Sequence, residues 1–186
     1  RIQAYTAYGF DDNKFKYGVS GKWMVDKKNR VIISGGNRRD IEQIGASLTT
    51  TNDVLGRSFA SSALFTTGSN GKLTNINLSN ISVEMEAKKN FIVQAGFSYR
   101  TLESASKTFS LDYYSTLPTP ENPAGVIENA VKQSEANIQF EYMPNRKTIG
   151  YGVERDLVDS PFSHFFVNFS YALKGVFDSD FAYVKI

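Results

Sequence analysis

The chain has no cysteine, a single histidine and a single tryptophan among its 186 residues. The absence of cysteine excludes disulfide frameworks, Cys-ligated zinc, iron–sulfur clusters and thiol catalysis. The excess of one charge sign is also small: 21 Lys and Arg against 19 Asp and Glu give a net charge of +2. This gives no electrostatic reason to expect nucleic acid as a partner. No apolar run approaches the ~18–20 residues that a membrane helix needs. A helical membrane protein is therefore excluded, whereas a soluble domain and a membrane β-barrel both stay open.

The chain is instead rich in apolar and aromatic side chains, with 41% hydrophobic and 13% aromatic residues. This composition argues against disorder, because there is enough apolar surface to offset the entropy of the chain. The length suits one domain. Since the sequence opens at Arg1 without a signal peptide, we expect a mature chain or, more simply, a piece of a longer one.

The dominant pattern has period two, which indicates strands with one apolar face. Apolar residues or glycine occupy alternate positions in 15–25, 91–99 and 165–173, and in the shorter runs 138–142 and 149–153. In each run Lys, Arg and Glu occur only on the other face. We predict an all-β fold of about eight strands, with a ninth candidate at 181–185 and a short helix at 126–133.

Turn residues between the runs predict hairpins, and each register can be tested because residues opposite one another must share a face. Two-residue loops at 12–13 and 145–146, a three-residue loop at 88–90 and a turn at 26–30 all pass this test. The predicted pairs are Phe10 with Phe15, Trp23 with Ile33, Val25 with Val31, Val83 with Ala95, Ile81 with Phe97, Met85 with Val93, Ala87 with Phe91, Tyr142 with Ile149 and Phe140 with Tyr151.

The loops are sorted by length. Tight turns at 26–30, 88–90 and 145–146 alternate with long Ser/Thr/Gly-rich or irregular stretches at 46–72 and 105–133. An up-and-down chain places alternate connections on opposite sides, and outer-membrane barrels have short turns on one side and long loops on the other. This sorting predicts an antiparallel up-and-down transmembrane β-barrel, with residues 1–186 forming a segment of the wall and 46–72 and 105–133 forming exterior loops.

A barrel assigns opposite environments to the two strand faces. The polar face is predicted to line the lumen, where side chains of a small barrel fill the interior with ion pairs and hydrogen bonds. The alternative is a lumen that holds a solute pathway or a binding pocket. The alternation places Lys16 opposite Asp40 and Glu84 opposite Gln94. The predicted lumen-facing residues are Lys16, Lys22, Arg38, Asp40, Glu84, Glu86, Arg100, Glu141 and Lys174.

The apolar face is predicted to form a lipid-facing belt with aromatic residues toward both ends. A soluble protein would use the same residues as a core, so the aromatic residues alone do not decide between the two. The predicted belt residues are Tyr17, Val19, Trp23, Val93, Phe97, Phe140, Tyr151, Val167, Phe169 and Tyr171.

Several stretches of the sequence carry a family likeness. They are Thr148-Ile149-Gly150-Tyr151-Gly152-Val153-Glu154-Arg155, Tyr8-Gly9-Phe10-Asp11-Asp12-Asn13-Lys14-Phe15, Arg39-Asp40-Ile41-Glu42-Gln43-Ile44-Gly45 and 163–183. They resemble the barrel region of a Bacteroidota outer-membrane family of unassigned function, whose members carry an N-terminal carboxypeptidase-regulatory-like domain. The resemblance touches most strands, little of the long loops and no catalytic motif. It implies the middle of a barrel, completed by strands from missing sequence or from another chain.

These observations predict a bacterial outer-membrane protein with a structural, assembly or transport-related role in the envelope. No enzyme, cofactor or metal site is expected: Glu84 and Glu86 read as lumen ion-pair residues, and His164 has no Ser or Cys arrangement beside it. The expected partners are outer-membrane lipid, the remaining barrel strands and other envelope proteins that contact the long loops, but not nucleic acid. The alternative is a soluble or surface β-sandwich binding module, and an outer-membrane hydrolase lacks a catalytic set.

Overall fold

The computed structural model describes residues 1–10, 14–43, 73–105, 110–150, 152–158 and 163–186. Within these ranges the chain is all-β apart from one short 3₁₀ turn at Val176–Asp178. No helix in this described part is long and apolar enough to span a membrane. The strands are β1 Ile2–Gly9, β2 Lys14–Asp26, β3 Val31–Gln43, β4 Leu73–Lys88, β5 Phe91–Ser104, β6 Tyr113–Thr116, β7 Val126–Glu128, β8 Ala130–Tyr142, β9 Thr148–Ile149, β10 Asp156–Leu157, β11 Phe165–Ala172 and β12 Tyr183–Lys185.

Eight of these strands form one antiparallel sheet in the order β1-β2-β3-β4-β5-β8-β11-β12. Each strand therefore pairs with the next long strand along the chain, as the up-and-down prediction requires. The candidate at 181–185 is present as β12, which pairs with β11 over three residues. Among the described residues β1 and β12 are the edges of the sheet. The all-β, antiparallel part of the fold prediction is confirmed.

The β2–β3 and β4–β5 hairpins have the predicted registers. Their turns contain Arg30 and Asn90, both with positive φ, a conformation that Asn adopts more readily than most residues. Bulges next to each turn replace two predicted pairs, so that Val31 lies opposite Asp26 and Phe91 opposite Lys88. The confirmed pairs are Trp23 with Ile33, Ile81 with Phe97, Val83 with Ala95, Met85 with Val93 and Glu84 with Gln94.

The predicted β1–β2 register is wrong by two residues. Phe15 lies opposite Tyr8 rather than Phe10, which follows the end of β1. A shift of two keeps every side chain on the same face, because side chains alternate with period two. The alternation therefore placed the faces correctly while the position of the turn was misjudged.

The predicted hairpin around 145–146 is also wrong in its partner strand. Tyr142 and Phe140 lie opposite Phe165 and Val167 of β11, whereas β9 pairs with β10 in a separate two-residue ladder. Gly150, with a φ of 114°, follows β9 directly and ends it. Tyr151 lies outside the described residues. The connection on the tight-turn side therefore extends over 143–164, and the predicted sorting of loops by length does not hold at this position.

The predicted exterior loop at 105–133 contains structure of its own. A hairpin of β6 and β7 occupies part of it, and β8 already begins at Ala130. The predicted helix at 126–133 is wrong, because Val126 and Ile127 are β-branched residues that pair as strand β7. The other predicted loop, 46–72, lies outside the described residues.

The two faces of the main sheet differ in composition and in exposure. On one, the apolar face, large side chains such as Trp23 and Phe169 stay 70% and 41% exposed. On the other, the polar face, Gln94 and Gln139 are buried at 1% and 3%. Gly36 belongs to the polar face, and a Cβ there would lie 2.7 Å from the Val19 carbonyl oxygen, so only glycine allows this close approach.

Candidate functional site

The polar face is the candidate site, because it brings buried polar side chains from five strands together. Side chains two strands apart meet across it. The Tyr5 hydroxyl of β1 donates to Asp40 Oδ2 of β3 at 3.0 Å, above Gly18 of the intervening strand. At the other edge the Tyr183 hydroxyl donates to Glu135 Oε2. These contacts link strands that are not neighbours in the sheet.

The register places eight of the nine predicted lumen residues on this polar face. Lys174 is the exception, since it lies after the end of β11 in an exposed turn. Arg100 Nε donates to Gln133 Oε1 at 2.7 Å, and Gln133 donates to the Tyr183 hydroxyl. The eight are Lys16, Lys22, Arg38, Asp40, Glu84, Glu86, Arg100 and Glu141.

Nine of the ten predicted belt residues share the opposite, apolar face, and the tenth, Tyr151, lies outside the described residues. A row of rings follows the tight-turn end of this face. Phe91 stacks on Phe140 with 6.5 Å between ring centres and contacts Tyr142 edge-on. Tyr142 in turn stacks on Phe165 with 6.3 Å between ring centres. The nine are Tyr17, Val19, Trp23, Val93, Phe97, Phe140, Val167, Phe169 and Tyr171.

A cluster of charged residues stands at the tight-turn end of the polar face. We call it the turn-end cluster, and it consists of Arg30, Glu84, Glu86, Arg146 and Arg155, which line one cavity. Arg30 comes from the β2–β3 turn, the two glutamates come from β4, and the other two arginines come from the connection between β8 and β11. The cluster thus joins three parts of the chain that are far apart in sequence.

Segment 143–158 is tied across this end of the polar face by several polar contacts. Arg155 Nη1 donates to Glu86 Oε2 at 3.0 Å, and Arg30 Nη2 donates to the Val153 carbonyl at 2.7 Å. Asn90 Nδ2 donates to the Arg146 carbonyl at 3.1 Å. Because Glu86 also accepts from the Asn90 amide at 2.9 Å, one carboxylate holds both the β4–β5 turn and the segment.

Positive charge exceeds negative charge in the cluster, with three guanidiniums against two carboxylates. Partial burial lowers the pKa of Arg30 below its ordinary value, and the nearby charge of Arg155 lowers it further. The Arg146 Nε–H is buried and has no hydrogen-bond partner among the described residues. The cavity between these groups measures about 60 Å³, which is room for several water molecules at ~10–15 Å³ of accessible volume each. The arrangement can hold water or a small anionic group.

The remaining candidate groups do not assemble into a catalytic set among the described residues. Glu141 lies 3.7 Å from His164 Nε2, and the histidine is about half exposed. The arginines of the turn-end cluster were missed from the sequence, since residues 30, 146 and 155 follow no common spacing. Comparison with protein-family models, curated proteins and solved structures gives no match for this chain. The functional argument therefore rests on the two faces and the turn-end cluster.

Proposed function

We propose that the chain is a section of the wall of a bacterial outer-membrane β-barrel, with a structural, assembly or transport-related role in the envelope and no enzymatic activity. Its partners in this proposal are outer-membrane lipid and the further strands that pair with β1 and β12. The likeness to the Bacteroidota family described above agrees with this assignment. One observation carries the proposal: the apolar side chains of the sheet are exposed and its polar side chains are buried.

In a water-soluble sheet the apolar face is covered and the polar face is wet. Here the sheet has the opposite arrangement. Phe165, Val167 and Tyr171 are 60%, 44% and 50% exposed on the apolar face. Ser82 and Ser170 are buried at 3% and 4% on the polar face, together with glutamines and an arginine. An exposed apolar surface of this extent favours a surrounding of lipid, whose chains replace the missing protein core.

The dimensions of the apolar face agree with a bilayer. On β5 the apolar side chains extend from Phe91 to Tyr99. The eight steps between these nine residues, at about 3.4 Å each, give about 27 Å along the strand. A strand tilted by ~35–45° would thus cover about 20 Å of depth, close to the ~25 Å apolar band of outer-membrane barrels. The aromatic row at the tight-turn end lies where an interfacial girdle is expected, and Phe15 stacked on Tyr17 lies toward the other end.

The polar face would then form part of a lumen that segment 143–158 narrows at its tight-turn mouth. The ties from Arg155 to Glu86 and from Arg30 to Val153 hold the segment there. Deeper in the polar face, Asn137 and Asn168 have buried amide oxygens that accept no hydrogen bond from the part of the chain that the structure describes. These oxygens can accept from water or from a polar solute. A hydrated lumen with a tied segment at one mouth suits a transport-related role.

The proposal can be tested with Trp23, the single tryptophan of the chain, which lies on the apolar face. The protein is reconstituted into phosphatidylcholine vesicles whose acyl chains carry bromine, a contact quencher of indole fluorescence. We expect strong quenching and blue-shifted emission. A matched variant, Trp23→Phe with Met24→Trp, moves the indole by one residue onto the polar face, where we expect little quenching.

The opposite result identifies the alternative function. In this result the protein stays soluble and monomeric without detergent, and brominated lipid does not quench its Trp23 emission. That outcome would identify a soluble or surface β-sandwich binding module. In that case the apolar face would pack against a second sheet. Equal quenching of the two tryptophan positions would also contradict the proposal, because it would mean that both faces meet lipid.

A further inference from the structure

The apolar face is interrupted on β3 and β4 by hydrogen-bonding side chains. Asn37 and Arg39 of β3 lie opposite Ser79 and Asn77 of β4, and we call these four residues the polar patch. The flanking strands carry Val19 and Tyr99 in the row of Asn37 and Ser79, and Tyr17 and Thr101 in the row of Arg39 and Asn77. Polar groups on a surface that faces lipid are costly and therefore indicate function.

The polar patch is organised to donate hydrogen bonds. Asn37 Nδ2 donates to Asn77 Oδ1 at 3.1 Å and to Ser79 Oγ at 2.8 Å. Because one amide group occupies both acceptors, the Asn77 amide hydrogens and the Ser79 hydroxyl hydrogen are directed to other partners. Arg39 adds an exposed guanidinium next to them. Several donors and one cation in a small area match a phosphate group.

Two apolar grooves lead away from the polar patch toward the tight-turn end. The first, of about 430 Å³, has Gly21 and Gly35 on its floor and Trp23, Ile33 and Ile81 around it, and Arg1 and Lys22 also line it. These glycines lie opposite each other on β2 and β3, and Asn37 follows Gly35 by two residues, about 7 Å along the strand.

The second groove, of about 340 Å³, lies on the other side of Ile81 against Phe97, Tyr99 and Phe177. Phe177 reaches the apolar face from the β11–β12 connection and lies 6.0 Å from Phe97 and 5.8 Å from Tyr99, measured between ring centres. Ser79 lines this groove and also belongs to the polar patch. The second groove therefore borders the polar patch, the first ends at Gly35, two residues before Asn37, and Ile81 lines both grooves.

We infer that the polar patch and its two grooves bind one anionic lipid, with the phosphate headgroup on the patch and an acyl chain in each groove. This inference rests on the proposed function, because it needs the apolar face to lie in a bilayer. The charge of Arg39 selects an anionic headgroup over a zwitterionic one, and one cation near a membrane surface favours anionic lipid about five-fold. The lipid belongs to the leaflet on the side of the 44–72 and 105–129 connections.

The test uses Trp23, which borders the first groove. Vesicles of phosphatidylcholine receive a minor share of brominated phosphatidylglycerol, or the same share of brominated phosphatidylcholine. We expect quenching by the anionic lipid to correspond to an affinity about five-fold above random mixing. Arg39→Gln should abolish this excess, whereas Lys132→Gln, on the same face outside the patch, should preserve it.

A second variant addresses the grooves. A side chain at Gly21 has room, since a Cβ there meets nothing closer than the Arg1 carbonyl oxygen at 3.9 Å. Gly21→Leu should fill the first groove and reduce the excess quenching without unfolding the sheet. Equal quenching by the two brominated lipids would overturn the lipid site and leave the barrel proposal intact. Absence of quenching by either lipid would instead overturn the barrel proposal.

Discussion

The contact between Arg155 and Glu86 is more buried than the Arg1–Glu154 ion pair of the same segment 143–158, and its removal should release the segment. The guanidinium and carboxylate are 3.0 Å apart, with side chains 31% and 17% exposed. Exposed ion pairs contribute ~0.2–1 kcal/mol, whereas hydrogen bonds to charged groups with less solvent contribute ~1.5–3 kcal/mol. Partial burial places this pair near 1.5 kcal/mol, about a tenfold change in the opening equilibrium.

Hydrogen exchange measures the effect of this tie on the segment's own structure. The Val158 amide donates to the Lys147 carbonyl at 3.0 Å within segment 143–158, so its exchange reports the opening of the β9–β10 hairpin that the contact with Glu86 holds in place. We expect Arg155→Ala to accelerate exchange there about tenfold. The same variant should increase the open time of single channels in a planar bilayer, because the segment lies at the mouth of the proposed lumen.

The control is Glu154→Gln, one residue away, which removes the partner of Arg1 in an ion pair exposed on both sides. It should change exchange at Val158 by less than about threefold. In a Glu86→Gln background, which keeps an oxygen for the Asn90 amide, the effect of Arg155→Ala should shrink. The reasoning is refuted when Arg155→Ala matches the control, or when its effect persists undiminished without the Glu86 charge.

Three further predictions concern the sheet and its connections. Gly36→Ala should lower the free energy of unfolding by about 1–3 kcal/mol because the new Cβ meets a carbonyl oxygen, whereas Gly21→Ala should be neutral or stabilising. Urea unfolding of the two variants in detergent micelles compares them, and equal losses of stability would contradict the close approach at Gly36. Phe169→Lys should impair membrane insertion, since a charge on a lipid-facing surface costs about 2–4 kcal/mol near the midplane, whereas Asn168→Lys, on the polar face, should insert. The measurement is the amount of each variant that stays in the membrane fraction after urea washing. Burial and carboxylate hydrogen bonds raise the pKa of Tyr113, so the folded state loses stability as pH rises above about 10, where the tyrosine ionises first in the unfolded state. Tyr113→Phe should flatten that pH dependence in thermal unfolding. An unchanged profile would assign the loss to other tyrosines.

The sequence was informative wherever a local pattern decides the structure. Long alternating runs with a suitable turn between them set the β4–β5 register, because a slip by one residue would move Phe97 and Ile81 to the polar face. The same alternation separated the two faces even where the turn was misplaced, as at Tyr8 and Phe15. Face assignment therefore survives errors of two residues, and only turn positions are lost.

The sequence was uninformative where distant segments compete. Asn145 has the positive φ that suits a tight turn, as its sequence context indicates. The strand that pairs with β8 is nevertheless β11, whose run of Phe165 to Tyr171 offers more apolar side chains than the two residues of β9. The turn-end cluster depends on this same choice, because Arg155 reaches Glu86 only when segment 143–158 is excluded from the sheet. Contacts of this kind depend on the tertiary structure and leave no spacing in the sequence.

The strand order of the main sheet has a consequence for how the proposed barrel wall would be built and altered. Every strand adds to the edge left by its predecessor, so no strand must wait for a distant one before it can pair. Two small hairpins, β6–β7 and β9–β10, sit between main strands without disturbing the registers on either side. A wall of this design can grow by duplication of a hairpin, and its connections can acquire new sequences, while the existing pairs are conserved. Assembly can likewise proceed stepwise from one edge, in the order in which the chain is made.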